Sequence, residues 1–175
     1  QWQTPVEKTF YHAPVFSQPA VGDGLVVVST PLNPNGTKCT LHAFDMADGS
    51  PKWSVNAGSV LAGVVPVPGG FMAASMSPKI ARVDSRGVMS VAQMPQGFGG
   101  TFSYGQAFCR LKSESILAAV DSEGFVYVVD VRGALEVTPV RSLGVNSYVS
   151  PVFVGNRLVA ASIDGRIQAF DVRLK

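Results

Sequence analysis

Short runs in which apolar residues alternate with small or polar ones recur along this chain as a repeating set. Each set holds a leading apolar strand, a tight turn, a second apolar strand and a third strand that closes on aspartate. The second-strand anchors Leu25, Phe71, Ile116 and Leu158 lie 46, 45 and 42 residues apart. The closing residues Asp45, Asp84, Asp130 and Asp171 lie 39, 46 and 41 apart. Phe16, Leu61, Phe102 and Tyr148 lead the sets, at intervals of 45, 41 and 46. A period in the low forties, with several short strands per unit, predicts an all-β fold of radially arranged sheets, a β-propeller. The pattern fixes architecture more firmly than activity, because one fold hosts many functions.

The units predict a single domain over residues 1–175, with four four-stranded blades near 15–55, 60–93, 101–140 and 147–175. In the first, Val15–Val21 leads, Gly22-Asp23-Gly24 reverses the chain, and Leu25–Thr30 returns. Glycine and aspartate tolerate the positive φ that such hairpins demand. Pro31–Lys38 carries two prolines and Asn35-Gly36, so it reads as a loop; Thr40–Asp45 and Lys52–Val55 complete the blade. The second blade reads Val60–Val67, Phe71–Ser75, Lys79–Asp84 and Val88–Gln93. The third has a longer first hairpin before Ser115–Val120 and Phe125–Asp130. The fourth reads Ser147–Val154, Arg157–Ser162 and Arg166–Asp171. Asp-x-Arg follows three of the third strands, and we assign its aspartate to holding the turn.

Residues 1–6, Gln-Trp-Gln-Thr-Pro-Val, look like the outer strand Lys52–Val55 around Trp53. They are expected to supply the outer strand that the fourth unit lacks, either closing a small ring or marking four units of a larger one. Trp2→Ala is then expected to cost about 3–5 kcal/mol, as for a buried tryptophan. The chain opens on Gln1 rather than Met, and is expected to be a processed product or an excised piece without a leader segment.

Composition narrows the function classes. Hydrophobic residues make up 46% of the chain and charged residues 15%, which points to strands buried on both faces. The net charge of +2 is dispersed, with no two basic residues adjacent, so no nucleic-acid partner is expected. Apolar runs such as Leu25–Val28 and Val126–Val129 are far shorter than the ~20 residues of a spanning helix. Cys39 and Cys109 fit no zinc or redox spacing and read as small apolar side chains, with a disulfide between them left open.

The phrase Val15-Phe16-Ser17-Gln18-Pro19-Ala20-Val21-Gly22-Asp23-Gly24-Leu25-Val26-Val27-Val28-Ser29, with Leu41–Asp45 and Gly49–Trp53, resembles the pyrroloquinoline-quinone-type (quinoprotein-like) propeller repeat. Tyr148–Val152 and Ala161–Asp171 repeat it, while the middle units match it less well. Relatives of this type include quinoprotein dehydrogenases, the outer-membrane assembly lipoprotein, and the C-terminal propeller of aminoadipate-semialdehyde or β-alanine-activating enzymes. Their rings usually hold seven or eight blades, so the resemblance implies a full small ring or half of an eight-bladed one. Its quinone-binding members use adjacent cysteines and a calcium-ligating Glu, Asn and Asp set. Here the cysteines are 70 residues apart and the four glutamates align with nothing, so no cofactor, metal or catalytic residue is expected.

His12 and His42 single out no carboxylate partner for a metal, and no Gly-x-Ser-x-Gly elbow is present. Gly97-Phe98-Gly99-Gly100 reads as a linker rather than a phosphate loop. The function expected is therefore a non-catalytic protein-interaction or scaffold module. The alternatives are an auxiliary propeller of a larger adenylate-forming enzyme and a fragment of a quinoprotein dehydrogenase. Phe16, Phe102, Tyr104 and Tyr148 form the candidate rim for a protein or peptide, against the plainer reading that they pack between blades. A homodimer completing a larger ring is a further expectation, and a periplasmic or secreted location is favoured over a cytoplasmic one.

Overall fold

A computed structural model describes residues 1–4, 18–31, 39–58, 61–75, 79–95, 109–110 and 115–172. These form fifteen strands in four antiparallel sheets, the arrangement of a β-propeller. Sheet one runs β1 (Ala20–Gly22), β2 (Leu25–Pro31), β3 (Cys39–Asp45) and β4 (Pro51–Gly58), each strand pairing with the next. Sheet two repeats this order with β5 (Leu61–Val67), β6 (Gly70–Ser75), β7 (Lys79–Asp84) and β8 (Met89–Gln93). Sheet three holds β9 (Cys109–Arg110), β10 (Ile116–Val120), β11 (Phe125–Asp130) and β12 (Glu136–Ser142). Sheet four has three strands among the described residues: β13 (Val152–Val154), β14 (Arg157–Ala161) and β15 (Ile167–Asp171). No helix in the described residues is long and apolar enough to cross a membrane.

The turns follow from their residues. Asp23 and Gly24 both have positive φ, of 49° and 73°, between the paired Gly22 and Leu25. That is the type I′ hairpin, whose twist matches the flanking strands. In sheet four Gly155 takes the first turn position at φ 62°, with Asn156 second, as type II′ requires.

The expected leading strands are longer than those observed. The fourth begins at Val152 rather than Ser147 because the preceding backbone is used elsewhere. Pro151 has no N–H to give a ladder, and the Ser147 N–H donates instead to Ser122 O in sheet three at 3.3 Å. The first begins at Ala20, with 15–17 outside the described residues.

Asp84 and Asp130 hold their turns as assigned, Asp45 does the same, and the Asp-x-Arg turn of Asp171 runs outside the described residues. Asp45 accepts the Ala47 N–H at 2.8 Å, Asp84 accepts those of Arg86 and Val88 at 2.9 and 2.8 Å, and Asp130 accepts that of Arg132 at 2.9 Å. Each also meets a cation: Lys52 for Asp45, Arg86 for Asp84, Arg132 for Asp130, and Arg157 for Asp171.

The sheets pack sideways through three cores, and the twofold periodicity of strands decides who faces whom. Leu25, Val27, Leu41 and Ala43 of sheet one meet Phe71, Ala73, Ala81 and Val83 of sheet two. The alternate residues of sheet two, Met72, Ala74 and Ile80, meet Leu117, Ala119, Tyr127 and Val129 of sheet three. Sheet three presents Ala118, Val120 and Val126 to Leu158 and Ala160 of sheet four. Each sheet thus has a trailing face toward the sheet before it and a leading face toward the sheet after it.

Candidate functional site

Of the four aromatics singled out as a rim, Tyr148 is described; Phe16, Phe102 and Tyr104 lie outside the described residues. Tyr148 is half exposed, in the extended lead-in to β13. The residue before it is fixed. Ser147 is buried, and its hydroxyl donates to Ala161 O at 2.8 Å while its N–H reaches sheet three. Ile163 N–H also donates to Asn146 O at 3.0 Å, so the lead-in is tied down on either side of the exposed ring.

A second feature was not anticipated from sequence. The leading face of sheet four is open: Val152, Val154 and Ile167 are exposed, and Tyr148, Val149 and Ile163 nearby are exposed as well. The signal for it lies in the register. Leu41, Ile80, Val126 and Ile167 each stand four residues before a closing aspartate. The first three are fully buried, whereas Ile167 is 75% exposed. Local sequence assigns all four the same role, and only the presence of a following sheet separates them.

The third feature is a repeated corner. Trp53 on β4 donates its indole N–H to Ser85 O at 3.0 Å, in the turn that closes β7 of the next sheet. The ring lies against Gly87, where an added Cβ would come 2.9 Å from Trp53 Cγ. Trp2 does the same to sheet one. Its N–H donates to Met46 O at 3.1 Å, and Thr4 Oγ donates to Gly49 O at 2.6 Å. A Cβ on Gly49, at φ +73°, would collide with Trp2 Cε3. Met46 and Ser85 each follow a closing aspartate directly. Trp2 and Thr4 thus meet the turn of sheet one much as Trp53 meets the turn of sheet two. They do so without strand pairing of their own, and Trp2 remains 39% exposed; Pro5 and Val6 lie outside the described residues.

The polar side chains inside the fold serve local structure. On the trailing face of sheet one, Thr30 Oγ lies 2.8 Å from His42 Nε2, and His42 Nδ1 lies 2.9 Å from Ser54 Oγ. This chain ties β2, β3 and β4 together through a buried imidazole. Asp121, fully buried, accepts the Glu123 and Phe125 N–H groups at 3.0 and 2.9 Å and the Tyr127 hydroxyl at 2.7 Å. Burial, and then that hydrogen bond, push the Tyr127 phenol well above its ordinary range. Arg82 crosses from sheet two to donate to Val131 O at 3.3 Å. Cys39 is buried in the first inter-sheet core. Among the described residues no three His, Cys, Asp or Glu side chains are grouped to hold a metal ion.

No family model and no curated protein matches the chain. Solved structures do. BamB from Moraxella catarrhalis superimposes with a TM-score of 0.69 at 20% identity, covering 97% of this chain and 49% of that one. The chain thus spans about half of that protein. The computationally designed Ika4 protein gives a TM-score of 0.60 at 15% identity, covering 97% of this chain and 96% of that one. The designed Ika8 protein gives 0.64 at 13% identity, covering 90% of this chain and 45% of its own. At these identities the likeness establishes the propeller fold.

Proposed function

We propose that this chain is a non-catalytic interaction module, built on quinoprotein-type repeats, that receives a peptide or an extended strand of a partner protein. The contact is the rim of Phe16, Phe102, Tyr104 and Tyr148. The observation that carries this reading is Tyr148, a half-exposed aromatic ring on backbone anchored through Ser147 to two sheets. Aromatic anchors on rigid backbone bind at low entropic cost, which is why they dominate interface hot spots. The buried side chains of Thr30, His42, Asp121 and Ser147 are meanwhile occupied in turns and strand ties.

Selection of extended peptides from a display library, followed by calorimetry, tests the reading. A retained peptide is expected to bind at least about 5-fold more weakly to Tyr148→Ala, the threshold of a contributing interface residue. Retention of no peptide, or equal binding by the Tyr148→Ala and Phe102→Ala variants, overturns it.

A further inference from the structure

The outer strands of the first three sheets are guarded unequally. β4 carries Pro51 and Lys52 and pairs with β3 through two bulges. β12 carries Glu136, Pro139 and Arg141 and pairs with β11 through one. Proline, charge and bulges are the devices that keep an exposed edge from pairing with another chain. β8, Met-Ser-Val-Ala-Gln, has none of them and runs in unbroken register along β7, from Met89 opposite Val83 to Gln93 opposite Lys79. We propose that this edge is a second contact, where an extended segment of a partner protein adds as a fifth strand. It uses no residue of the Tyr148 rim.

Three features define what the edge takes. The first is backbone. Asp84 N–H donates to Val88 O at 3.0 Å, and opposed residues alternate between bonded and non-bonded pairs along an antiparallel ladder. Ser90 and Ala92 therefore bond to β7, while Met89, Val91 and Gln93 turn their N–H and C=O groups outward. No strand pairs with that edge among the described residues, and an extended chain is what matches such a row.

The second is the apolar margin beside it. Trp53, Val55 and Ala57 of β4 and Met89 of β8 are partly buried at the outer end of the first core. Val91, on the same face as Met89, is 47% exposed. An added strand lays alternate side chains over this margin, so the segment carries apolar residues at every second position. The third is charge. Neither β4 nor β8 holds an acidic residue. Lys52 and Arg86 are paired with Asp45 and Asp84, whereas Lys79, exposed and opposite Gln93, makes no ion pair among the described residues. The segment therefore carries a carboxylate where it passes Lys79.

Amide hydrogen exchange on the free chain is expected to find Met89, Val91 and Gln93 fast and Ser90 and Ala92 protected. The probe is a capped peptide of alternating valine and threonine with an aspartate at each end, titrated by calorimetry. Its binding is expected to protect the fast amides. Val91→Pro removes an outward N–H and no ladder bond, so circular dichroism should be unchanged. The peptide should bind that variant at least about 10-fold more weakly. Val91→Lys, at a half-exposed position, is the second variant should the proline not fold, and is expected to weaken binding likewise. Lys79→Glu should turn the preference toward the same peptide ended in lysine.

Slow exchange at Met89, Val91 and Gln93 in the free chain, no binding, or binding indifferent to both Val91 variants overturns the proposal. Light scattering that shows two copies joined through β8 overturns it too, since the occupant is then the chain itself. Tyr148→Ala should leave this binding unchanged, which separates a failure here from a failure at the rim.

Discussion

Sheets two and four carry nearly the same sequence pattern and have different surroundings. Ile80 and Ile167 sit at the same distance from a closing aspartate and pair with Ala74 and Ala161 at the same register. Ile80 is fully buried between sheets, whereas Ile167 stands in water. A blade is amphipathic on neither side; it needs a neighbour on both. Stability in such an array is the sum of what each sheet contributes and what each junction contributes, and an end sheet lacks one junction.

The largest expected effect sharpens this contrast. Ile80→Ala should cost about 2–5 kcal/mol in denaturant titrations, as for other buried large-to-small changes. Ile167→Ala, at an exposed position, should stay within about 0.5 kcal/mol. Comparable losses at the two positions would break the comparison, because sheet four would then be buried.

The next test concerns the two tryptophan corners. A fully packed Trp2 was expected from sequence, at about 3–5 kcal/mol. With 39% of it exposed, the expected loss in Trp2→Ala falls to about 1–2 kcal/mol, from partial burial and one hydrogen bond. Gly49→Ala should cost a similar amount, since its methyl group would collide with the indole at an unfavourable φ. The double variant should be clearly less than additive. Full additivity would mean that Trp2 and Gly49 do not share a contact.

The smallest effect is the acid limb of stability. Asp45, Asp84 and Asp130 are held below the usual carboxylate range, chiefly by Lys52, by the Val88 N–H and by Arg132 respectively. A depressed folded-state pKa gives stability that is fully present above the unfolded value of ~3.9 and is lost as pH falls through the folded one. Acid unfolding below about pH 4, the unfolded carboxylate range, should therefore become less steep in Asp84→Asn. The change should be small, because these pairs lie at the surface, their cations reaching into water that screens them.

Strand positions, hairpin turns and turn-holding aspartates were legible because each rests on a local cause. Alternation sets the strands, Asp23-Gly24 sets a hairpin, and a carboxylate at a strand end finds the amides two to four residues on. The likeness of residues 1–4 to the strand around Trp53 was legible for the same reason. Two things were not. The short leading strands β1 and β13 depend on where neighbouring backbone goes, as with Ser147 bonding to Ser122 in another sheet. The exposure of Ile167 depends on whether another sheet follows, which no local pattern encodes. Of the rim aromatics, sequence supplied the register and Tyr148 alone has a described setting.

The indole laid flat on a glycine has one more implication. Trp53 reaches from the periphery of one sheet to the corner of the next, so its breadth acts as a shim at the widest part of the wedge between them. A shim of fixed thickness sets the angle at which successive wedges meet. A methyl group on either glycine would push the indole off its corner and leave the two wedges less firmly spaced.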